Sequence, residues 1–267
     1  MRTLFRACTL LLALAAARPV TAEIVNPVVR FTVLGSYSMD VELFEDQVPT
    51  TVQNFLSYVN GGSYRNTFFH RSTTANPNDI QVVQGGGFTI NQNVIDPIAT
   101  TAPIALEAGI PNTRGTIAMA RGEGPNTATC QWFFNVTDNP GLDPNANPLN
   151  PDGYAVFGRI VSDVLPPLNV DSSGLALLDA IAALQTFNLN PEILGPLYPN
   201  PNDGPFGTVP LVVQNQQAFF VTVNSVAAVP EPSSMVLAAG GIALAVAAAR
   251  RKRRTRPSAS LETCATE

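Results

Sequence analysis

The stretch of this chain with the most chemical potential is residues 68–89, FFHRSTTANPNDIQVVQGGGFT. It holds the only histidine of the 267 residues, His70, beside Arg71, and it ends on Gln84 and three consecutive glycines. A lone histidine flanked by strand-like residues is more typical of a structural side chain than of a general base. An arginine can act differently, because it donates hydrogen bonds to an atom whose charge or lone pair develops during a reaction. Arg71 is therefore the stronger catalytic candidate.

Covalent hydrolysis, metal chemistry and phosphate binding are disfavoured by the residues present. The sequence contains no G-x-S-x-G nucleophile elbow. One histidine and one internal cysteine, Cys130, are too few for a zinc ligand set. The loop 143–154 has Asp or Asn at alternate positions, but Pro148 stands where a calcium loop requires glycine. The glycines 85–87 lack the Lys-Ser/Thr of a phosphate loop. We expect neither a metal nor a cofactor.

Both ends of the chain have the layout of targeting segments. Residues 1–22 combine arginines, an apolar run and a terminal small residue, which predicts a secretory signal peptide. Near the other end, the segment 227–234 reads as a linker that contains Pro-Glu-Pro. It leads into an apolar run, 235–249, and then into a basic tail, 250–267. Because basic residues mark the cytoplasmic side of a membrane segment, we expect 235–249 to be an anchor helix.

This C-terminal order resembles the Pro-Glu-Pro (PEP-CTERM) sorting signal of Gram-negative bacteria. The resemblance implies a sorting peptidase as partner, which removes the anchor after a transient stay in the inner membrane. The protein would then end in the periplasm, the cell envelope or the extracellular space. Nucleic-acid binding by the basic tail is the alternative, and it is disfavoured because the rest of the chain is not basic.

The body of the protein is strongly acidic once these ends are set aside. Nine of the fifteen Lys and Arg residues and two of the twenty Asp and Glu residues lie in 1–22 and 250–267, which leaves a net charge of −12 for 23–249. Such a body repels nucleic acids. It contains no lysine, and its six basic residues are Arg30, Arg65, Arg71, Arg114, Arg121 and Arg159. With Cys130 as its only cysteine, the body cannot form an internal disulfide.

Many short β-rich runs and two helical patterns must position these residues. A hairpin is predicted over 28–44, and an amphipathic helix over 48–62 ends at a glycine pair. A second helix is predicted over 174–187. The predicted strands further along are 63–71, 80–86, 115–121, 131–137, 154–160, 209–214 and 218–226. The pattern indicates one mainly β domain over 23–226, either a barrel or a sandwich.

Five motifs occur in an order that identifies a family resemblance: VPTTVQNF, FHR, VQGG-FT, GTIAMAR…GPNTATCQWFF and GYAVFGRI. They resemble the cyclophilins, which are peptidyl-prolyl cis-trans isomerases, over about 24–187 and loosely to 226. The resemblance implies a closed eight-stranded antiparallel barrel capped by two helices. It also implies a monomer that needs no cofactor and that acts on proline-containing polypeptides.

The resemblance assigns roles by position. Arg71 matches the catalytic arginine, Gln84 the glutamine that holds it, and Gln131 a second pocket glutamine. The expected substrate-binding residues are Val82, Ala120, Arg121, Phe133, Leu142 and Tyr154. Rotation about an X–Pro bond faces a barrier of about 18–20 kcal/mol from amide resonance. An arginine can lower it by donating to the prolyl nitrogen, whose lone pair becomes available only as the bond twists.

The chain also departs from the family pattern near the expected pocket. Gln81 and Val82 stand where the family carries an aromatic residue and a larger apolar one, and STTANPND (72–79) replaces a shorter apolar approach. Two functions follow from these residues. The first is an exported prolyl isomerase that acts on unfolded or envelope proteins. The second is a weakly active or inactive proline-peptide binding module for surface or matrix assembly.

Overall fold

The computed structural model describes residues 26–74, 80–92, 94–161, 174–189, 205–215 and 217–229. The predicted signal peptide, the Pro-Glu-Pro motif, the apolar run 235–249 and the basic tail lie outside the described residues. The fold is therefore that of the predicted body of the chain.

The described ranges contain fourteen strands, and all their pairings are antiparallel. They are β1 (Val28–Val33), β2 (Tyr37–Leu43), β3 (Thr67–Phe68), β4 (Arg71–Ser72), β5 (Val82–Gly85), β6 (Phe88–Asn91), β7 (Val94–Pro97), β8 (Thr116–Met119), β9 (Trp132–Asn135), β10 (Val156–Val161), β11 (Thr186–Phe187), β12 (Val209–Gln214), β13 (Gln217–Phe220) and β14 (Thr222–Ala228). Eleven form one curled sheet in the order β4-β5-β9-β8-β10-β2-β1-β14-β3-β6-β7. The other three form a small sheet in the order β11-β12-β13.

The prediction of a closed eight-stranded barrel is wrong, because the described sheet is an open half-barrel of eleven strands with β4 and β7 at its ends. The reason lies in the run that connects β3 to β4. The backbone N–H of Phe69 donates to Val221, whereas the N–H of His70 donates to Gln84. The run changes partners at this point, so β3 pairs with β14 and β6 while β4 pairs with β5. The strand content and antiparallel pairing agree with the mainly β prediction.

The two predicted helices are present. The first, α1 (Pro49–Asn60), begins with proline in its first turn, where the missing N–H costs no hydrogen bond. Its capping acceptor comes from far along the chain: Glu107 Oε2 accepts from the Thr51 N–H at 2.8 Å, and Oε1 accepts from the Thr50 N–H at 3.2 Å. The second, α2 (Gly174–Ala182), is shorter than its predicted range 174–187, because the chain turns after it and enters β11.

The centre of the core is Trp132, which is fully buried. Its ring lies edge-on to Phe31 and Phe69, with centroids 5.1 and 5.6 Å away. The glycines after Gln84 make this packing possible, since a Cβ at Gly85 would lie 2.7 Å from the Trp132 ring. Gly86 in addition has a φ of +75°, which glycine tolerates best. The glycine run is therefore a close backbone approach beneath a large ring.

The small sheet covers the outer edge of β4. The Ser72 N–H donates to the Thr208 carbonyl at 2.8 Å, so the edge strand that carries Arg71 is satisfied on that side. A second apolar cluster lies beneath this sheet and contains Phe68, Phe206, Val209 and Leu211. The predicted strand 218–226 is two strands, β13 and β14, and β14 continues two residues into the expected linker.

Candidate functional site

An open cleft of about 610 Å³ lies where β4, β5 and β9 meet two loops. Its lining residues are Arg71, Thr73, Ile80, Val82, Gln84, Ala120, Arg121, Phe133, Leu142 and Tyr154. Eight of the nine residues predicted for the site are among them. The ninth, Gln131, does not line the cleft but bonds to Gln84. Thr73 and Ile80 were missed, although the alternation of Ile80, Val82 and Gln84 in a strand could have indicated Ile80.

Three polar side chains form a hydrogen-bonded row at the cleft: Arg71 on β4, Gln84 on β5, and Gln131, which directly precedes β9. Arg71 and Gln84 are cross-strand neighbours on β4 and β5. The Arg71 Nη1 donates to Gln84 Oε1 at 3.2 Å, and Gln84 Nε2 donates to Gln131 Oε1 at 2.8 Å. The bond to Gln131 thereby fixes the Gln84 amide, and this amide orients the Arg71 guanidinium. The remaining N–H groups of Arg71 make no hydrogen bond to the residues that the structure describes, so they can donate to a bound molecule.

The Arg71 side chain is exposed at the cleft, yet it lies among enough protein atoms to be partly desolvated. This burial lowers its pKa from the ordinary value, and the nearby Tyr154 phenol raises it in part. The group nevertheless stays protonated at physiological pH, because the ordinary pKa of a guanidinium lies far above neutral pH. The site therefore holds a permanent cation with unused donors.

His70 has a different environment, although it is next to Arg71 in the chain. Its side chain is 1% exposed and lies edge-on to Phe88 and Phe206, at centroid distances of 5.0 and 6.5 Å. Burial lowers its pKa from 6.5 to about 4, the Arg71 charge adds to this lowering, and the Gln131 side chain opposes it. His70 is consequently neutral at pH 7 and packs as part of the core, in agreement with the structural role expected from the sequence.

The floor of the cleft is apolar. Phe133, on β9 opposite Gln84, is 4% exposed. Its ring is edge-on to Tyr154 at 5.5 Å. Leu142 ends a 3-10 turn, Pro140–Leu142, and its carbonyl accepts the Tyr154 N–H at 3.0 Å. Such an apolar floor suits a small aliphatic ring. The hydrogen-bonded row of Arg71, Gln84 and Gln131 supplies polar groups beside this floor.

Gln81 does not line the cleft; its backbone is part of the support behind the wall. The Gln81 N–H donates to Asn139 Oδ1 at 2.9 Å, and its carbonyl accepts from Asn139 Nδ2 at 3.0 Å. Asn139 Nδ2 also donates to Asn135, whose own amide donates to Asn112. Asn112 in turn donates to the Leu142 carbonyl at 3.2 Å. The three buried asparagines thus tie the Val82 wall to the Leu142 wall, a role that sequence reasoning missed.

A sequence profile described as "Cyclophilin type peptidyl-prolyl cis-trans isomerase/CLD" matches residues 28–193, which is more than half of the chain. The chain belongs to the cyclophilin family. The predicted resemblance is thereby confirmed, and the cyclophilin domain accounts for all residues of the cleft. A second profile, the PEP-CTERM protein-sorting motif, matches residues 228–254 and confirms the predicted sorting signal.

Curated relatives of this cyclophilin carry the name of the enzyme. The chain is 43% identical to peptidyl-prolyl cis-trans isomerase B of Escherichia coli K12 over 123 residues, which is 45% of this chain and 70% of that protein. It is 39% identical to a peptidyl-prolyl cis-trans isomerase of Acinetobacter baylyi over 151 residues, or 56% of this chain and 69% of that protein. A crystal structure of a Cryptosporidium parvum cyclophilin aligns with a TM-score of 0.48 at 18% identity, over 78% of this chain and 99% of that one.

The sorting motif implies that this cyclophilin is exported and sorted to the envelope. Neither helix in the described ranges has the length and apolarity needed to cross a membrane. The predicted anchor, 235–249, lies outside those ranges. In the same ranges, no three His, Cys, Asp or Glu side chains lie together in an arrangement that could hold a metal ion.

Proposed function

We propose that this protein accelerates the cis-trans rotation of X–Pro bonds in unfolded or envelope proteins by non-covalent electrostatic catalysis from Arg71. The observation that carries the proposal is the position of the Arg71 guanidinium. It faces a cleft with an apolar floor, it is held by a neutral amide, and its other N–H groups are available to a substrate. The identification of relatives as isomerases supports the same reaction.

The reaction needs stabilisation of a twisted amide and neither a base nor a nucleophile. In the planar amide the nitrogen lone pair is delocalised, and this resonance produces a barrier of about 18–20 kcal/mol. As the bond twists, the lone pair localises on the prolyl nitrogen and accepts a hydrogen bond. A donor from Arg71 would then bind the twisted state more strongly than the planar one, which is the condition for acceleration.

The other residues of the cleft would hold the substrate in place for this step. Phe133, Leu142 and Tyr154 would pack around the proline ring, with Val82 as the side wall. Gln84 would keep the guanidinium in position and Gln131 would keep Gln84 in position, through bonds of 3.2 and 2.8 Å. The backbone at Ala120 and Arg121 would bind the peptide beside the ring. Preorganised donors in such a row need no reorganisation as the bond twists.

The ends of the chain complete the proposal. Residues 1–22 would direct export, 235–249 would anchor the protein transiently in the inner membrane, and a sorting peptidase would remove this anchor. The cyclophilin domain would then act as a monomer in the periplasm, in the envelope or outside the cell.

Replacement of Pro230, Glu231 and Pro232 by alanine should leave the full-length protein in the inner membrane. An unchanged distribution in fractionated cells would contradict the sorting proposal.

A proline-peptide binding module with little turnover is the second candidate. Val82 favours this second candidate. It lines the cleft and is smaller than the apolar residue that the family pattern has at this position, so the cleft is wider there. A cleft that is wider at this wall would bind the ring less firmly and would lose part of the orientation that catalysis requires.

An isomerisation assay separates the two candidates. Residues 23–229 would be tested on a proline peptide, with Arg71→Ala as the matched variant and with binding measured in parallel. Acceleration by the wild type that is lost in Arg71→Ala supports the enzyme. Binding without acceleration supports the module and removes the enzyme proposal. Because the proposed step uses no metal, activity should also withstand EDTA.

A further inference from the structure

The cleft is lined by two arginines and by no carboxylate, although the body of the protein is acidic. Its ten lining residues include Arg71 and Arg121 and contain neither Asp nor Glu. The region 23–249 as a whole carries a net charge of −12. The lining of the cleft therefore carries a charge opposite in sign to that of the body, at the place where a substrate would bind.

The partners of the arginines explain how this local charge persists. Three arginines outside the cleft form ion pairs with carboxylates: Arg30 with Asp40 at 2.7 Å, Arg114 with Asp179 at 2.8 Å, and Arg159 with Glu42 at 2.9 Å. The two cleft arginines have neutral partners in the described ranges. For Arg71 this partner is the Gln84 side chain.

Arg121 is held in place entirely by neutral oxygens. Its Nε donates to the Gly153 carbonyl at 2.9 Å, and Nη1 donates to the Gly124 carbonyl at 2.9 Å and to the Gly122 carbonyl at 3.3 Å. Its Nη2 donates to Asn150 Oδ1. The guanidinium carbon lies 5.0 Å from the centroid of the Tyr154 ring, on the cleft wall. These contacts fix the direction of the guanidinium, and no carboxylate of the described residues forms an ion pair with it.

The acidic residues on the neighbouring loops do not add a carboxylate to the lining of the cleft. Glu123, Asp143 and Asp152 are close in sequence to cleft residues, but none of them lines the cleft. The Asp143 carboxylate accepts the Asn112 N–H at 2.7 Å, which turns it toward the supporting network. The charged side chains that line the cleft are therefore those of Arg71 and Arg121.

We infer that the cleft selects X–Pro bonds flanked by an acidic residue, with Arg121 as the residue that determines this specificity. The inference rests on the proposed function and names its substrate class. Consecutive Cα atoms are about 3.8 Å apart, so a side chain next to a bound proline stays within the cleft and near its walls. A carboxylate there would gain two cations that have no carboxylate partner, and a lysine would meet them unfavourably.

The chain itself contains a sequence of this class. In Pro230-Glu231-Pro232 the glutamate follows one proline and precedes another. The Glu231–Pro232 bond of a second copy of this chain therefore has the chemistry that the cleft favours. Three hexapeptides give matched probes: VPEPSS, which is residues 229–234, and the same peptide with Gln or Lys in place of the glutamate.

The test uses the full-length protein in a non-ionic detergent. NMR titration gives the dissociation constant of each peptide, and NMR exchange spectroscopy gives the acceleration of its X–Pro rotation. We expect VPEPSS to bind about two- to fivefold more tightly than the Gln peptide, the range for one partly exposed charge pair, and the Lys peptide to bind most weakly. Raising the salt from 0.1 to 1 M should reduce the preference, since the Debye length falls from about 10 to about 3 Å.

Two variants of Arg121 separate charge from shape. Arg121→Gln should lose most of the preference for Glu over Gln, because only the Arg71 charge remains. Arg121→Lys keeps the charge and should retain most of the preference. Arg159→Gln removes a charge outside the cleft and should leave the preference intact. Equal binding of the Glu and Gln peptides, tightest binding of the Lys peptide, or an unchanged preference in Arg121→Gln would overturn the inference. Lack of acceleration for every peptide would overturn the proposed function instead, and the dissociation constants would still decide the specificity.

Discussion

At the cleft, Arg71 and Arg121 donate to neutral amides and carbonyls. In the middle of the sheet order, where β1, β2 and β10 pair, Arg30 and Arg159 lie in ion pairs with carboxylates of β2. The pKa values follow this difference. The hydrogen bond from Arg30 to Asp40 raises the Arg30 pKa, whereas burial lowers the pKa of Arg71.

The difference shows what each region can do. A carboxylate beside an arginine stabilises the cation and neutralises its field, so such a pair contributes to the surface and offers little to a ligand. A neutral partner holds the guanidinium in place without cancelling its charge. The cleft gives up the stabilisation of an ion pair and keeps a cation that can act on a substrate. Active sites commonly show this exchange of stability for function.

The largest expected effect comes from removing Arg71, the cleft arginine that is proposed to act on the prolyl nitrogen. Arg71→Ala should lower kcat/KM for a proline peptide about 10²–10³-fold, the usual cost of losing one preorganised donor to a transition state. Its urea midpoint should stay close to that of the wild type, because Arg71 has no ion pair in the described structure. Arg159→Ala is the matched variant, for which kcat/KM should be unchanged. Comparable losses of activity in both variants would remove the contrast between the two regions.

The next effect concerns His70, the buried neighbour of Arg71. Its pKa is lowered to about 4 in the folded protein, against about 6.5 for an exposed histidine. Between these pH values the unfolded chain binds a proton that the folded protein does not, so stability falls as the pH drops through this window. The loss amounts to about 3 kcal/mol, and above pH 6.5 the contribution is fully present.

NMR can measure this titration directly, because the chain has a single histidine. The imidazole signal of the folded protein should titrate near pH 4, and activity should not follow a transition near pH 6.5. A midpoint near 6.5 would mean that His70 is exposed and that the cleft region is more open than described.

A smaller effect tests the support behind the cleft wall. Asn139→Ala leaves the partly buried Gln81 N–H without its acceptor and removes one of the two donors to the Gln81 carbonyl, which also accepts from the Val136 N–H. The change should reduce the free energy of unfolding by about 1–3 kcal/mol. Because Asn139 ties one wall to the other, KM for a proline peptide should rise more than kcat falls. Asn54→Ala is the control. Asn54 is also buried, at 8% exposure, and its amide donates to the Thr129 carbonyl at 2.7 Å. An equal rise of KM in both variants would show that general destabilisation is the cause.

The smallest effect belongs to the ion pairs far from the cleft. Arg30 and Asp40 are partly exposed, with side chains 42% and 22% accessible. Arg30→Gln should therefore lower the free energy of unfolding by about 0–1 kcal/mol, and less in 0.5 M salt. Thermal or urea unfolding measures this change, and isomerisation kinetics should not respond. A loss of several kcal/mol would place the pair among the main determinants of stability.

The sequence by itself was enough to predict the family and most residues of the cleft. The order of short motifs identified the family and indicated eight residues of the cleft, since each role belongs to a residue type at a fixed position in its motif. The apolar spacing over 48–62 likewise predicted α1, because a helix is defined by contacts within a few residues of the chain.

Only the tertiary structure decided how the strands pair and which distant residues contact the cleft residues. The open eleven-stranded sheet depends on where the run 67–72 changes partners, which no local pattern encodes. Asn139 reaches Gln81 across 58 positions, and Glu107 caps α1 from 56 positions away. Which arginines meet a carboxylate is decided in the same way. A sequence gives the type of each side chain, but its charge stays available to a substrate only if folding places no counter-ion beside it.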